Sequence, residues 1–429
     1  MMVEMGPAAA ATAVVEMAEN GHFADIERLF APPLRAVVSA EALRAEWEGL
    51  ISRIGPISAL GTPVSEPVKA GLTRVSVPVT CERGGLTVVM SVDETGLLQG
   101  LRLAPPLTEQ WTPPPYARRK SFDEHEVTVG SDALAVPGTL SLPRGRGPWP
   151  GVVLLSGGGP FDRDETSGPN KPLKDLAWGL ASRGVAVLRF DKVTYTHAGQ
   201  SDFTMTDEYV PHAVAAIHLL QRHSNVDAAR VYVAGHSMGG KVAPRVAAAE
   251  PSVAGLVLLA GDAQPMHQAA VRVVSYLASL DPGAQAAAEM ITRQAAMVDS
   301  PDLSPDTPAA DLPFGFSGAY WLDLRGYDPV ATAAALNKPM LILQGGRDYQ
   351  VTVADDLARW QAGLAHRADV TIHVHDADNH LFFSGSGPST PAEYESPQHV
   401  DAAVVADIAD WLAPRADHTD STFGRGARQ

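Results

Sequence analysis

Residues 231–249 read VYVAGHSMGGKVAPRVAAA, and the rest of the chain is interpreted outward from them. Val231 to Ala234 is a short apolar run of strand character, and Gly239 to Ala249 has helical composition. Between them Ser237 sits at a strand-to-helix turn, with Gly235 two residues before it and Gly239 and Gly240 after it. A turn this sharp puts its central residue in a strained backbone conformation and crowds the residues two away, which must therefore be small. The helix that starts there aims its unpaired N–H groups at whatever reacts with the serine. Ser237 is thus the candidate nucleophile, and the N–H of Met238 a candidate donor to an oxyanion.

Serine is a weak nucleophile near neutrality and needs a base. For a nucleophile on such a turn, the orienting acid and then the base follow it in the chain. The segment MLILQGGRD, residues 340–348, is an apolar strand ending in two glycines and Asp348. The segment DADNH, residues 376–380, follows a strand over Val370 to Val374 and ends at His380. Parallel strands end on one edge of their sheet, so both loops open beside the loop of Ser237. Asp348 is the expected acid and His380 the expected base. His373 and His375 compete for the second role, but they fall within or at the end of the strand. The cluster His373, His375, Asp376, Asp378 and His380 also has the look of a metal site; a strand running into a catalytic loop accounts for it without metal. The second oxyanion donor is expected in SGGGP, residues 156–160, after the strand Val152 to Leu155. Glycines there let a carbonyl approach the backbone, and Gly158 is preferred, with Gly157 next.

Around these motifs short apolar runs alternate with helical stretches. Strands are expected at Glu126–Val129, Leu134–Leu142, Val152–Leu155, Val185–Phe190, Val231–Ala234, Leu256–Leu259, Met340–Gln344 and Val370–Val374. Helices are expected at 172–182, 208–222, 239–249, 353–362 and 400–411. The pattern implies an α/β fold, a mostly parallel sheet with helices on both faces. It breaks over 262–336, where helices at 269–280 and 284–298 and a Pro/Asp-rich loop form an insert in the position of a lid. Met266, Tyr276, Tyr320 and Trp321, with Met290 and Met297, are candidates to line a substrate pocket.

Residues 1–104 read as a small α+β domain. Helices over 8–18, 22–30 and 40–54, the last with Ser39 as N-cap, precede strands at 72–80, 86–92 and 96–103. Residues 105–120 carry five prolines and read as a stiff linker ending in a solvated basic run, Arg118 to Lys120. The catalytic domain is expected over 121–414, and the polar tail 415–429 is expected to be disordered.

The 429 residues carry a net charge of −16, which argues against nucleic acid, whose binding needs a basic face, and against an anionic membrane surface. Cys81 is the one cysteine, so neither an intrachain disulfide nor a cysteine-based zinc site is available. The N-terminus lacks a basic segment followed by an unbroken apolar run, and no stretch of about 20 apolar residues occurs. The expectation is a cytoplasmic protein without cofactor, acting on a small-molecule ester or acyl substrate. A homodimer is left open.

Several motifs together carry a resemblance: GGGPFDRDE (157–165), GPNKP (168–172), RFDK (189–192), the Ser237 turn, GGRD (345–348) and Asn379–His380. They resemble bacterial α/β-hydrolase esterases near the dienelactone-hydrolase and prolyl-oligopeptidase-like branch, which carry a small N-terminal α+β domain. The resemblance runs from about residue 20 to 413. It implies a carboxylesterase acting on short acyl chains, often acetylated or aromatic esters, without cofactor. Ser156 and Gly158 stand where relatives usually have His and often Ser. Acyl transfer or cyclisation on a natural product, ligand sensing without catalysis, and peptide cleavage are the other activities considered for this fold.

Overall fold

The computed structural model describes residues 6–413, apart from 36–37, 69–71, 105, 107–110, 132 and 198–202, and they divide into two units, Met1–Trp111 and Thr112–Gln429. Most of the proline-rich stretch 105–110 and the expected disordered tail 415–429 lie outside the described residues.

In the first unit, helix Pro7–Glu19 carries Val14 and Val15, and helix Ala40–Ile54 carries Leu43 and Trp47, into one core. Ser39 caps the second helix, its side chain accepting from the N–H of Ala42. The core's other side is an antiparallel sheet of β1 (Ile57–Leu60), β2 (Val64–Val68), β3 (Leu72–Cys81), β4 (Gly84–Val92) and β5 (Leu98–Ala104). Val75, Val77, Val79 and Cys81 alternate inward along β3, as a half-buried strand requires. Sequence patterning missed β1 and β2. Both are short, and Pro67 in β2 interrupts the apolar period, which a strand at a sheet edge tolerates.

The second unit is built on β6 (Phe122–Val129), β7 (Val136–Pro143), β8 (Trp149–Leu155), β9 (Ala186–Phe190), β10 (Val226–His236), β11 (Leu256–Leu259), β12 (Met340–Gly345) and β13 (Val370–His375). Their spatial order is β13-β12-β11-β10-β8-β9-β7-β6. β6 and β7 form an antiparallel hairpin and β7 runs antiparallel to β9; every other neighbouring pair is parallel. β8, β9, β11 and β12 are apolar almost throughout and, apart from the first two residues of β8, buried, because helices cover both faces of a parallel sheet. The carboxyl ends of β8, β10, β12 and β13 therefore share one rim.

Three local expectations are refined. The basic run Arg118 to Lys120 is exposed to solvent but also anchored: the Arg118 N–H donates to Ser182 Oγ at 2.7 Å, and the Arg119 guanidinium lies 5.0 Å from the Phe122 ring and 5.3 Å from the Trp178 ring. The helix expected over 353–362 opens with a wide turn, Val353–Leu357, in which the Leu357 N–H reaches the Thr352 carbonyl, before Ala358–Leu364 continues it. The insert holds two further short helices, Gly318–Arg325 and Pro329–Ala335, whose caps Ser317 and Asp328 were readable signals. Among the described residues no helix is long and apolar enough to cross a membrane.

Candidate active site

Ser237 follows β10 directly and opens helix Met238–Ala249. Its φ of 53° and ψ of −120° lie in a region that non-glycine residues rarely occupy. The flanking glycines have a specific steric cause. A Cβ on Gly235 would sit 2.1 Å from the Gly239 carbonyl oxygen, and one on Gly239 would sit 2.5 Å from that of Leu155. The strained turn is held by the Ser237 N–H, which donates to the Leu259 carbonyl of β11 at 2.9 Å.

Two loops from the same rim reach this serine. Asp348 lies past β12, where its Oδ1 accepts the N–H groups of Gln350 (2.7 Å) and Val351 (2.9 Å). Its Oδ2 stands 2.7 Å from His380 Nδ1. His380 Nε2 stands 3.1 Å from Ser237 Oγ. An ionised carboxylate only accepts, so Nδ1 carries the proton and Nε2 is left to accept from the serine hydroxyl. The tight loop after β13 that presents His380 is closed by Asn379, whose Oδ1 accepts from the N–H groups of Leu381 and Phe383 at 3.1 Å each. His373, by contrast, pairs with Asp407, and His375 Nε2 lies 3.3 Å from the same carboxylate. Asp378 accepts from Ser384. Among the described residues no group of three or more His, Cys, Asp or Glu is placed to hold a metal ion.

Met238 and Gly158 line the cavity beside Ser237. Met238 is the first residue of its helix, so its N–H precedes the first intrahelical bond. Across from it, the peptide between Gly157 and Gly158 is gripped from behind. The Gly157 carbonyl accepts from Tyr209 Oη at 2.7 Å and Lys192 Nζ at 3.1 Å. In a trans peptide the next N–H points the opposite way, so the Gly158 N–H turns toward the cavity that Gly158 lines with Ser237 and Met238. Gly157, the other candidate, is ruled out as donor because its N–H is already given to Glu165 Oε1 at 2.8 Å.

The cavity beside Ser237 has a volume of about 420 Å³. Met266 lines it, as expected. Tyr276, Tyr320 and Trp321 do not. Tyr276 stacks on Tyr349 and donates to the Ser389 carbonyl; Tyr320 is buried with its hydroxyl on Glu208; Trp321 is core. Met290 and Met297 of helix Gln285–Asp299 are largely exposed. The wall is instead the face of helix Met266–Leu280 bearing Met266, Ala269, Ala270, Val273 and Val274, completed by Phe314, Phe316 and Val351. Their i, i+3, i+4, i+7, i+8 spacing is a helical face legible in the sequence. Tyr320 and Trp321 are buried in packing, whereas Phe314 and Phe316 are the large rings that meet the cavity.

The chain is 34% identical to the esterase EstD of Thermotoga maritima over 381 residues, 88% of this chain and 89% of that one. It is 27% identical over 143 residues to the 2,6-dihydropseudooxynicotine hydrolase of Paenarthrobacter nicotinovorans, 32% of this chain and 35% of that one. The family model described as serine aminopeptidase, S33, matches residues 171–384. Among solved structures, Est1E from Butyrivibrio proteoclasticus aligns with a TM-score of 0.44 at 16% identity, covering 67% of this chain and 97% of that one.

Proposed function

The chain belongs to the α/β-hydrolase family of serine esterases, and on that premise we propose that Ser237, His380 and Asp348 are its catalytic triad and that the N–H groups of Met238 and Gly158 are its oxyanion donors. The supporting observation is the unbroken hydrogen-bonded line from Ser237 Oγ through the His380 ring to Asp348 at the carboxyl rim of one sheet.

Ser237 Oγ attacks the ester carbonyl carbon while its proton passes to His380 Nε2. Asp348 keeps Nδ1 protonated and stabilises the imidazolium that forms. The negative charge on the carbonyl oxygen falls between the Met238 and Gly158 N–H groups, each contributing roughly 3 kcal/mol to the transition state. The alcohol leaves with the proton from His380, and water repeats the sequence on the acyl-enzyme. No cofactor enters these steps.

The apolar helix face and Phe314 and Phe316 suit a short or aromatic acyl group, so the substrate we assign is a small-molecule ester of that kind. Acyl transfer, cyclisation and peptide cleavage are not favoured by the relative that spans most of the chain, an esterase. A cytoplasmic setting fits a chain with a single cysteine; recovery of the native enzyme outside the cytoplasmic fraction would overturn it.

The test is a panel of p-nitrophenyl esters with Ser237→Ala beside wild type, and fluorophosphonate labelling of both. Wild type is expected to hydrolyse acetate and butyrate and to take the label, and the variant to do neither. Unchanged hydrolysis in the variant would end this reading.

A further inference from the structure

The residue before Ser237 is a histidine with both ring nitrogens facing acceptors. His236 ends β10 and is 5% exposed. Its Nδ1 lies 2.9 Å from Glu165 Oε1, and its Nε2 lies 2.9 Å from the backbone carbonyl oxygen of His380. A neutral imidazole has one N–H, and neither a backbone carbonyl nor an ionised carboxylate can supply a proton, so making both bonds to an ionised Glu165 and the His380 carbonyl takes the imidazolium. Burial pulls the His236 imidazole down, but the Glu165 charge and hydrogen bond, the His380 carbonyl and the Asp348 charge together carry it net upward. The His380 ring lies beside it, its centroid 4.7 Å away, and Lys192, which pairs with Glu208, interacts with the Glu165 charge.

The same Glu165 oxygen also accepts the Gly157 N–H. One carboxylate oxygen thus joins the glycine loop to the His236 ring, and the ring joins that oxygen to the backbone of His380. Glu165 occupies this place at some cost. Its φ is +53°, in the left-handed region, and its Oε2 is buried without a hydrogen-bond partner among the described residues. Such costs persist where the surroundings hold a residue for another purpose.

The geometry points to Glu165 and His236 as positioning residues that tie the backbone of the catalytic base to the oxyanion loop, fixing their spacing across Ser237. Asp348 orients the His380 ring, but it does not set where that residue's backbone stands relative to Gly158; the Gly157–Glu165–His236–His380 line does. This rests on the triad and oxyanion assignments proposed above.

The test uses the full chain with p-nitrophenyl acetate and four variants: Glu165→Gln, His236→Asn, their double, and Ser237→Ala. Asn at 236 keeps a donor near Glu165 but cannot reach the His380 carbonyl. Each single change is expected to lower kcat about 10- to 100-fold with KM within about threefold, and the double to be no worse than the poorer single, since both cut one line. A loss of kcat under about threefold in a folded single variant, an effect confined to KM, or multiplicative losses in the double would overturn the proposal. Melting temperatures establish folding; if the Glu165 variant is unfolded, His236→Asn alone carries the kcat and KM criteria. Activity surviving in Ser237→Ala would instead remove the triad reading, and this proposal with it.

Discussion

Replacing Asp348 by Asn removes a charge without removing volume, and its surroundings determine which way the amide must face. All four groups on this carboxylate are donors: the Gln350 and Val351 N–H groups on Oδ1, and His380 Nδ1 and Gln344 Nε2 on Oδ2. An amide has one accepting oxygen. Placed toward the two backbone N–H groups, at 2.7 and 2.9 Å, it keeps both bonds; turned the other way, it sets an NH₂ against two donors. The oxygen therefore stays with the backbone and the NH₂ faces His380 Nδ1. That ring must then accept at Nδ1 and carry its proton on Nε2, 3.1 Å from Ser237 Oγ, where it cannot take the serine's proton. The expected loss in kcat is about 10⁴-fold, equivalent to about 5.5 kcal/mol, with KM nearly unchanged because substrate contacts are untouched. Steady-state hydrolysis of p-nitrophenyl acetate measures it, with melting curves as the control for folding. Asp348→Ala adds a stability loss of about 1–3 kcal/mol by stranding the same two N–H groups. A folded Asp348→Asn enzyme within tenfold of wild-type kcat would refute the tautomer argument and the assignment of Asp348 as the acid.

Three further outcomes follow from the structure. Ala270→Trp fills the cavity wall beside Ser237 and should cut the kcat/KM ratio of hexanoate to acetate at least about tenfold; an unchanged ratio would move the acyl group elsewhere. Asn170 is fully buried and bonds the Tyr394 and Ser396 carbonyls and the Gln398 N–H, so Asn170→Ala should cost about 3 kcal/mol in denaturant unfolding; a loss below about 1 kcal/mol would contradict it. Because the folded-state value of His236 is raised, its contribution to stability is fully present below the ordinary imidazole value of 6.5 and is lost as pH rises through the raised one. The melting-temperature gap between wild type and His236→Asn should therefore be widest near about pH 5 and shrink toward about pH 9; a constant gap would show that the imidazolium is not formed.

What could be read in advance depended on the range of the forces involved. Ser237, Asp348 and His380 were nameable because each stands just past an apolar run. The sequence ranks Gly158 before Gly157 but supplies no contact that decides between them, since adjacent glycines in one loop differ only in which N–H finds an acceptor. Glu165, at the end of the same loop motif, and Lys192 and Tyr209, from further along the chain, decide that. The apolar face from Met266 to Val274 is legible as helical spacing, but nothing local in the sequence shows that Tyr276, Tyr320 and Trp321 turn away from the cavity.

The order of strands and helices, the strained turn at Ser237 and the placement of Asp348 and His380 after β12 and β13 are consequences of local patterning: apolar period, glycine where a Cβ would clash, caps at helix starts. These act over a few residues, so the linear chain displays them. Which of two glycines offers its N–H, which histidine ring is charged, and which face of an inserted helix meets the serine are set by groups distant in sequence that meet only when the sheet is assembled. The hydrogen bonds that choose among them exist nowhere in the unfolded chain, and only the folded backbone decides them.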